Sequence, residues 1–199
     1  SSDVCSSDLM RKLSKWLLEH RPDFIDFFYS KESYSFEEVM LAGMQLIYEK
    51  DENLLVEKLK KLIPRFDSWA HTDQIIAKFK CVKDYFCFLK SFEYLKSGTE
   101  FEKRSYVIML LKECGNLNSY DLIIKELRDV EQGCYYVDMA IAWTLAEMLS
   151  RDYDNIMKNV GFLNSFSVFV LKKAAQKCRD SFRLTADQKK YITELVNNK

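Results

Sequence analysis

The stretch SFEEVMLAGMQLIYEKDENLLVEKLKKLIP, residues 35–64, decides the fold class. Ser35 followed three residues later by Glu38 has the form of a capping box. Such a box satisfies two orphan N–H groups and opens a helix, here predicted to run to about Lys50. Asp51 stands where it can cap a second helix, which is predicted to run to about Ile63 and stop before Pro64. Inside that helix Leu54, Leu55, Leu59 and Leu62 recur at the three- and four-residue spacing of one helical face.

The same grammar extends outward. Short helices fit Leu9 to His20 and Pro22 to Tyr29. Longer ones are predicted from Asp67 or Ser68 to Lys80, Lys83 to Ser97, Thr99 to Cys114, Ser119 to Glu131, Tyr135 to Arg151, Ser165 to Phe182 and Thr185 to Val196. Phe101, Ile108 and Leu111 form a second apolar stripe. Gly98, Gly115, Gly133 and Gly161 each follow a helical stretch, where glycine supplies a left-handed cap at no steric cost. No stretch alternates with a two-residue period, so no sheet is expected. The fold class predicted is all-α: an α-solenoid of HEAT-like repeats built from antiparallel helix pairs, with a compact bundle as the alternative.

Composition narrows the class. Of 199 residues, 48% are hydrophobic and 30% charged, the balance of a globular domain. No apolar run approaches the roughly 20 residues that span a bilayer. Formal net charge is zero, so a nucleic-acid partner must be argued from local patches. From Ser165 onward eight cations, among them Lys172, Lys173, Lys177 and Arg179, face three anions, which leaves +5 there and −5 on the remainder. Six cysteines form no CxxC pair and no zinc-like cluster, so free, buried thiols in a reducing cytoplasm are expected. Residues 1–9 (SSDVCSSDL) read as a near-repeat foreign to the rest, and the helical domain is taken as residues 10–199.

Four residues stand out as chemistry. Trp69 and Asp73 are spaced i, i+4, one turn apart on a helical face that Ile76 and Lys80 continue. Arg104 lies on the stripe of Phe101, Ile108 and Leu111, where a guanidinium needs a carboxylate or phosphate partner. Trp143 has Ala140 and Ala142 as small neighbours, which allow close helix packing or leave a cleft. Against a functional reading, a helical tryptophan most often belongs to the core, and Arg104 has Glu100 within reach as a structural acid.

The segments around these residues resemble the DNA alkylation repair family, the AlkD-like glycosylases. Residues 66–73 (FDSWAHTD) look like its Trp-x-x-x-Asp motif. Residues 101–111 (FEKRSYVIMLL) resemble its arginine-bearing helix, 135–143 (YYVDMAIAW) its second tryptophan helix, and 174–183 (AAQKCRDSFR) its C-terminal basic segment. The resemblance covers about Met10 to Lys190. It implies a HEAT-like solenoid that binds double-stranded DNA containing alkylated bases. The implied activity is excision of positively charged N7- and N3-alkylpurines by hydrolysis of the N-glycosidic bond, without a flipped-base pocket, metal or organic cofactor. Asp73 is then the catalytic carboxylate, and Trp69 and Trp143 flank the damaged nucleotide. Arg104 grips a phosphate, and Lys172, Lys173, Lys177 and Arg179 bind DNA backbone. A monomeric cytoplasmic enzyme is expected.

The sequence departs from the family at His71 and Thr72, both placed off the Trp69–Asp73 face and expected to matter little, although His71 could change local charge below neutral pH. Asp138 brings a negative charge that would oppose DNA if it faced it. The family carries further N-terminal helical sequence, whose loss would expose Trp16 and Leu17. Two other readings stand beside the glycosylase: a non-catalytic DNA-structure binder and a HEAT-like protein-binding scaffold.

Overall fold

A computed structural model describes residues 2–198, with side chains from residue 8 onward. Ser1, Lys199 and the side chains of residues 2–7 lie outside the described residues. The reading of residues 1–9 as foreign, and that of Cys5 as a buried thiol, fall largely there. Among the described residues the chain is all-helical, with no strand. It divides into two compact units, residues 1–93 and 94–199.

The first unit contains α1 (Ser2–His20), α2 (Phe24–Ser30), α3 (Phe36–Leu46), α4 (Glu52–Leu62), α5 (Trp69–Ile75) and α6 (Tyr85–Lys90). The capping box at its centre is real. Ser35 Oγ accepts the Glu38 N–H at 3.3 Å, and the Glu38 carboxylate accepts the Ser35 N–H at 2.8 Å. From Val39 to Leu46 every residue of α3 is buried, as a helix apolar on all sides requires. α1, α2, α4 and α5 all pack against it. Asp51 caps α4 by accepting the Asn53 and Leu54 N–H groups. Leu55, Leu59 and Leu62 are buried as the stripe predicts, while Leu54 points outward.

Gly43 has a role the glycine pattern did not assign. A Cβ added there would sit 2.6 Å from Ile75 Cγ1 and closer still to Cδ1. The absent side chain is what lets α3 and α5 meet.

The second unit contains α7 (Glu100–Glu113), α8 (Tyr120–Arg128), α9 (Tyr135–Arg151), α10 (Tyr153–Met157), α11 (Val168–Asp180) and α12 (Ala186–Asn197). α9 lies between α7 and α11. α8 packs on α7, α10 on α9 and α12 on α11. Capping boxes open both α7, through Thr99 and Glu102, and α12, through Thr185 and Gln188.

Several expectations are corrected. The helix expected from Lys83 to Ser97 is α6, capped by Asp84, followed by a separate 3-10 turn at Glu93–Ser97. The helix expected to reach Lys80 ends at Ile75 and tightens into a 3-10 turn at Ile76–Lys78. α10 and the 3-10 segment Val160–Ser165 were not foreseen. Of the four glycines read as left-handed caps, Gly133 alone has positive φ, 108°. Of the described thiols, Cys114 and Cys178 are buried, Cys81 and Cys134 half-buried, and Cys87 exposed. Burial pushes the Cys114 and Cys178 thiols up to about 12. No helix among the described residues is long and apolar enough to cross a membrane.

The contact at Gly43 sets a test. Gly43→Ala drives a methyl into fully buried Ile75, and denaturant unfolding should show a loss of about 1–3 kcal/mol. At Gly115 an added Cβ meets nothing within 4 Å, and Gly115→Ala should stabilise by about 0.4–1 kcal/mol by restricting the unfolded chain. Equal effects at the two glycines would refute the packing argument.

Candidate functional site

The residues singled out in the sequence lie on both units: Trp69 and Asp73 on the first, Arg104 and Trp143 on the second. On the first unit, Ser68 opens α5 by accepting the Ala70 N–H at 3.2 Å. That start places Trp69 in the first turn, 50% exposed, with the half-buried Asp73 one turn later. Ile76 does not continue this face. The helix tightens at that point, and the Ile76 side chain turns fully into the core.

Thr72, expected to matter little, touches the pair directly. Its hydroxyl lies 2.8 Å from both the Trp69 carbonyl oxygen and Asp73 Oδ1. With one proton it donates to one of the two at a time. When it donates to Asp73, the residue links the carboxylate to the turn that carries the indole.

His71 is fully buried between Phe36 and Phe66, with ring centroids 4.4 and 5.6 Å away. Nε2 lies 3.0 Å from the Phe36 carbonyl oxygen, which makes the Nε2–H tautomer the donor. Nδ1 makes no hydrogen bond, although the exposed Asp67 carboxylate is 3.2 Å away. Burial lowers the imidazole pKa and outweighs the opposing pull of the Phe36 carbonyl and Asp67. The expected gain of charge just below neutral pH is thereby opposed.

On the second unit Arg104 is 5% exposed and its Nη1 donates to the Tyr136 carbonyl at 2.6 Å. Glu100, one turn earlier on α7, accepts the Tyr136 N–H at 2.8 Å. The acid considered as a partner for Arg104 thus holds the same residue by its other backbone group. Asp138 is also turned inward: it is buried and accepts the Gly133 N–H at 3.0 Å, so it presents no charge to a surface partner.

Trp143 is 38% exposed on α9, and Ala140 and Ala142, which precede it, are fully buried. The Lys177 ammonium from α11 sits 5.5 Å from its ring centroid, a cation–π contact. Both line an open cleft of about 310 Å³ together with Glu147, Phe182 and Arg183. Phe182 is 90% exposed, and the Arg183 guanidinium lies 5.4 Å from its ring. Glu147 accepts from Arg151 at 2.6 Å and from Arg183 at 3.0 Å. The sequence places Phe182 at the end of the helix expected from Ser165 and assigns it no role; the helix ends at Asp180, which leaves the ring outside it.

The basic residues of α11 do not form one patch. Lys177 faces the Trp143 cleft, whereas Lys172, Lys173 and Arg179 line a second cleft, of about 390 Å³, with residues of α12. Among the described residues no group of three or more His, Cys, Asp or Glu side chains is placed to hold a metal ion. Compared with protein-family models, curated proteins and solved structures, the chain has no significant match.

The buried histidine gives a pH dependence. The unfolded imidazole takes up a proton as the pH falls through 6.5, its ordinary value, while the folded one resists. Protons then favour the unfolded state, so this part of the stability is full above 6.5 and is lost as the pH falls through the lower folded value. Denaturation between pH 7.5 and 5 should show a steeper decline for wild type than for His71→Gln. Parallel curves would show that His71 is not the titrating group.

Proposed function

We propose that the chain is a DNA glycosylase that hydrolyses the N-glycosidic bond of positively charged N7- or N3-alkylated purines, built on HEAT-like helix pairs. The observation that carries this reading is the Trp69–Asp73 pair: a half-exposed indole and a carboxylate on one turn, with the carboxylate tied by the Thr72 hydroxyl. The architecture of the second unit is in keeping with it. α7, α9 and α11 stack in order, each with its following helix packed on it, as helical repeats do.

The chemistry suits these groups. A cationic purine is already a good leaving group. When the bond from C1′ to the base nitrogen breaks, its electron pair goes to the base and neutralises it. Positive charge then develops on the deoxyribose ring, and a fixed carboxylate stabilises it most where water is thinned out. Water adds to C1′, its proton is lost to solvent, and an abasic sugar remains. Asp73 is assigned the charge-stabilising role and the orientation of that water. Trp69 offers an aromatic face beside it. On the second unit Trp143 with Lys177, and Lys172, Lys173 and Arg179 on the other side of α11, are assigned contacts to the DNA backbone. Arg104, held at the Tyr136 carbonyl, enters as the residue that positions α9; a phosphate contact would require it to leave that carbonyl.

The test is release of N7-methylguanine or N3-methyladenine from methylated duplex DNA. Asp73→Asn should lower the single-turnover rate by roughly 100- to 1,000-fold while leaving duplex affinity close to wild type. A folded Asp73→Asn protein that excises at the wild-type rate overturns the assignment. Tight binding of duplex with no excision by wild type would replace it with a non-catalytic DNA binder.

A further inference from the structure

The first unit has a second feature that the Trp69–Asp73 pair does not use. A cleft of about 300 Å³ opens beside α1, α3 and α5, lined by Arg11, Ser14, Tyr48, Gln74, Lys78 and Lys80 among others. Its charged lining residues are all cations, and it contains no carboxylate. Lys78 and Lys80 form no ion pair among the described residues. Arg11 has only Asp8, at 3.4 Å in a well-exposed pair that water and salt screen.

One residue of the cleft lining carries an independent observation. Ser14 lines the cleft yet is fully buried, and its hydroxyl has no hydrogen-bond partner among the described residues. A buried hydroxyl without a partner is costly, and native proteins rarely leave one without a purpose. Three cations in the lining of one cleft with an unpartnered buried hydroxyl are a donor set suited to a phosphoryl oxyanion. Arg11 and the two lysines supply charge, while the Ser14 hydroxyl and the Gln74 amide supply neutral donors. Gln74 follows Asp73 in the chain, so the same helix carries the candidate catalytic carboxylate and one wall of the cleft.

We infer that this cleft is a phosphate site that holds a backbone phosphodiester of the DNA strand, an inference that rests on the glycosylase reading. Its cations act as points of charge on the backbone and read no sequence. Their place on the unit that bears Asp73 means they contribute to holding DNA on that unit, separately from the basic residues of α11.

The experiment compares wild type with Lys78→Ala/Lys80→Ala, both exposed positions. A control double variant, Lys60→Ala/Lys125→Ala, removes two exposed lysines elsewhere. Binding of the full chain to an unmodified duplex is measured across salt concentrations. Losing one phosphate contact or more should flatten the slope of log affinity against log salt by about 1 or more, and the control should not. A slope equal to wild type, or one flattened equally by the control, overturns the inference.

A second arm separates this from failure of the glycosylase reading. Inorganic phosphate is compared with chloride at equal ionic strength in thermal unfolding. A rise in Tm for wild type that is lost in Lys78→Ala/Lys80→Ala and reduced in Ser14→Ala supports the anion site even if wild type has no affinity for duplex. The phosphate then comes from a source other than DNA. No phosphate-specific rise in wild type, with no affinity for duplex, overturns the site itself.

Discussion

Both backbone polar groups of Tyr136 are held by side chains one turn apart on a neighbouring helix. Glu100 takes the N–H and Arg104 the carbonyl oxygen, at 2.8 and 2.6 Å. The N–H belongs to the first turn of α9, where no intrahelical acceptor exists, so the Glu100 contact answers a need that every helix start has. The Arg104 contact adds a charge-assisted bond to the same residue. An i, i+4 pair of opposite sign gripping a single residue fixes both the axial register of α9 against α7 and its rotation. Trp143 lies seven residues after Tyr136, two turns on and nearly on the same face. Its half-exposed position beside Lys177 is therefore set by residues that do not touch it.

The same logic runs through the polar interior. Lys103 reaches Glu131 at 2.7 Å, Tyr106 donates to Glu126 at 2.6 Å, Asp138 accepts from Gly133, and His71 donates to Phe36. In each case a group that costs free energy to bury is matched by a partner from another segment, so the penalty of desolvation becomes a constraint on geometry. Charge in this protein consequently has two roles. Lys103 and Arg104 of α7 and Asp138 at the start of α9 are buried and bonded to neighbouring segments. The groups that remain at the surface near the candidate residues are largely aromatic rings with a cation over them, as at Trp143 and Phe182.

What the sequence disclosed follows from which interactions are local. Ser35, Asp51, Thr99 and Thr185 begin their helices as predicted, because a cap involves residues two or three positions apart. α9 has the predicted bounds, Tyr135–Arg151. Where tertiary packing decides, the pattern was silent. The end of α5 at Ile75, with a 3-10 turn from Ile76, leaves both isoleucines fully buried, and no sequence spacing marks that change. α10 is shorter than two turns and so carries no periodicity to detect. Among the site residues, the spacing of Trp69 and Asp73 was legible because it is an i, i+4 relation within one helix. The inward turn of Arg104 and Asp138 was not, because their partners lie on another helix or in a turn whose approach no spacing encodes. Thr72 was misjudged for a further reason: its hydroxyl works back along its own turn, outside the face on which a helical wheel would place it.

Zero net charge is compatible with a chain that binds anions, because charges of the two signs are unevenly distributed and several acids are already paired. Glu49 is paired with Lys58, Glu57 with Lys61, Glu126 with Lys96, Glu131 with Lys103, and Glu147 with Arg151 and Arg183. Each pairing removes a cation from the surface field as well as an anion. Of the cations outside such pairs among the described residues, Lys78 and Lys80 on the first unit and Lys172 and Lys177 on the second line clefts. A cleft walled by protein concentrates the field of its charges, so a few unmatched cations there attract an anion more strongly than many spread over an exposed face. Overall charge describes the sum; what a ligand meets is the local remainder, which is positive at the Lys78–Lys80 and Lys172–Arg179 clefts, whereas the Trp143 cleft sets Lys177 and Arg183 against Glu147 and Asp180.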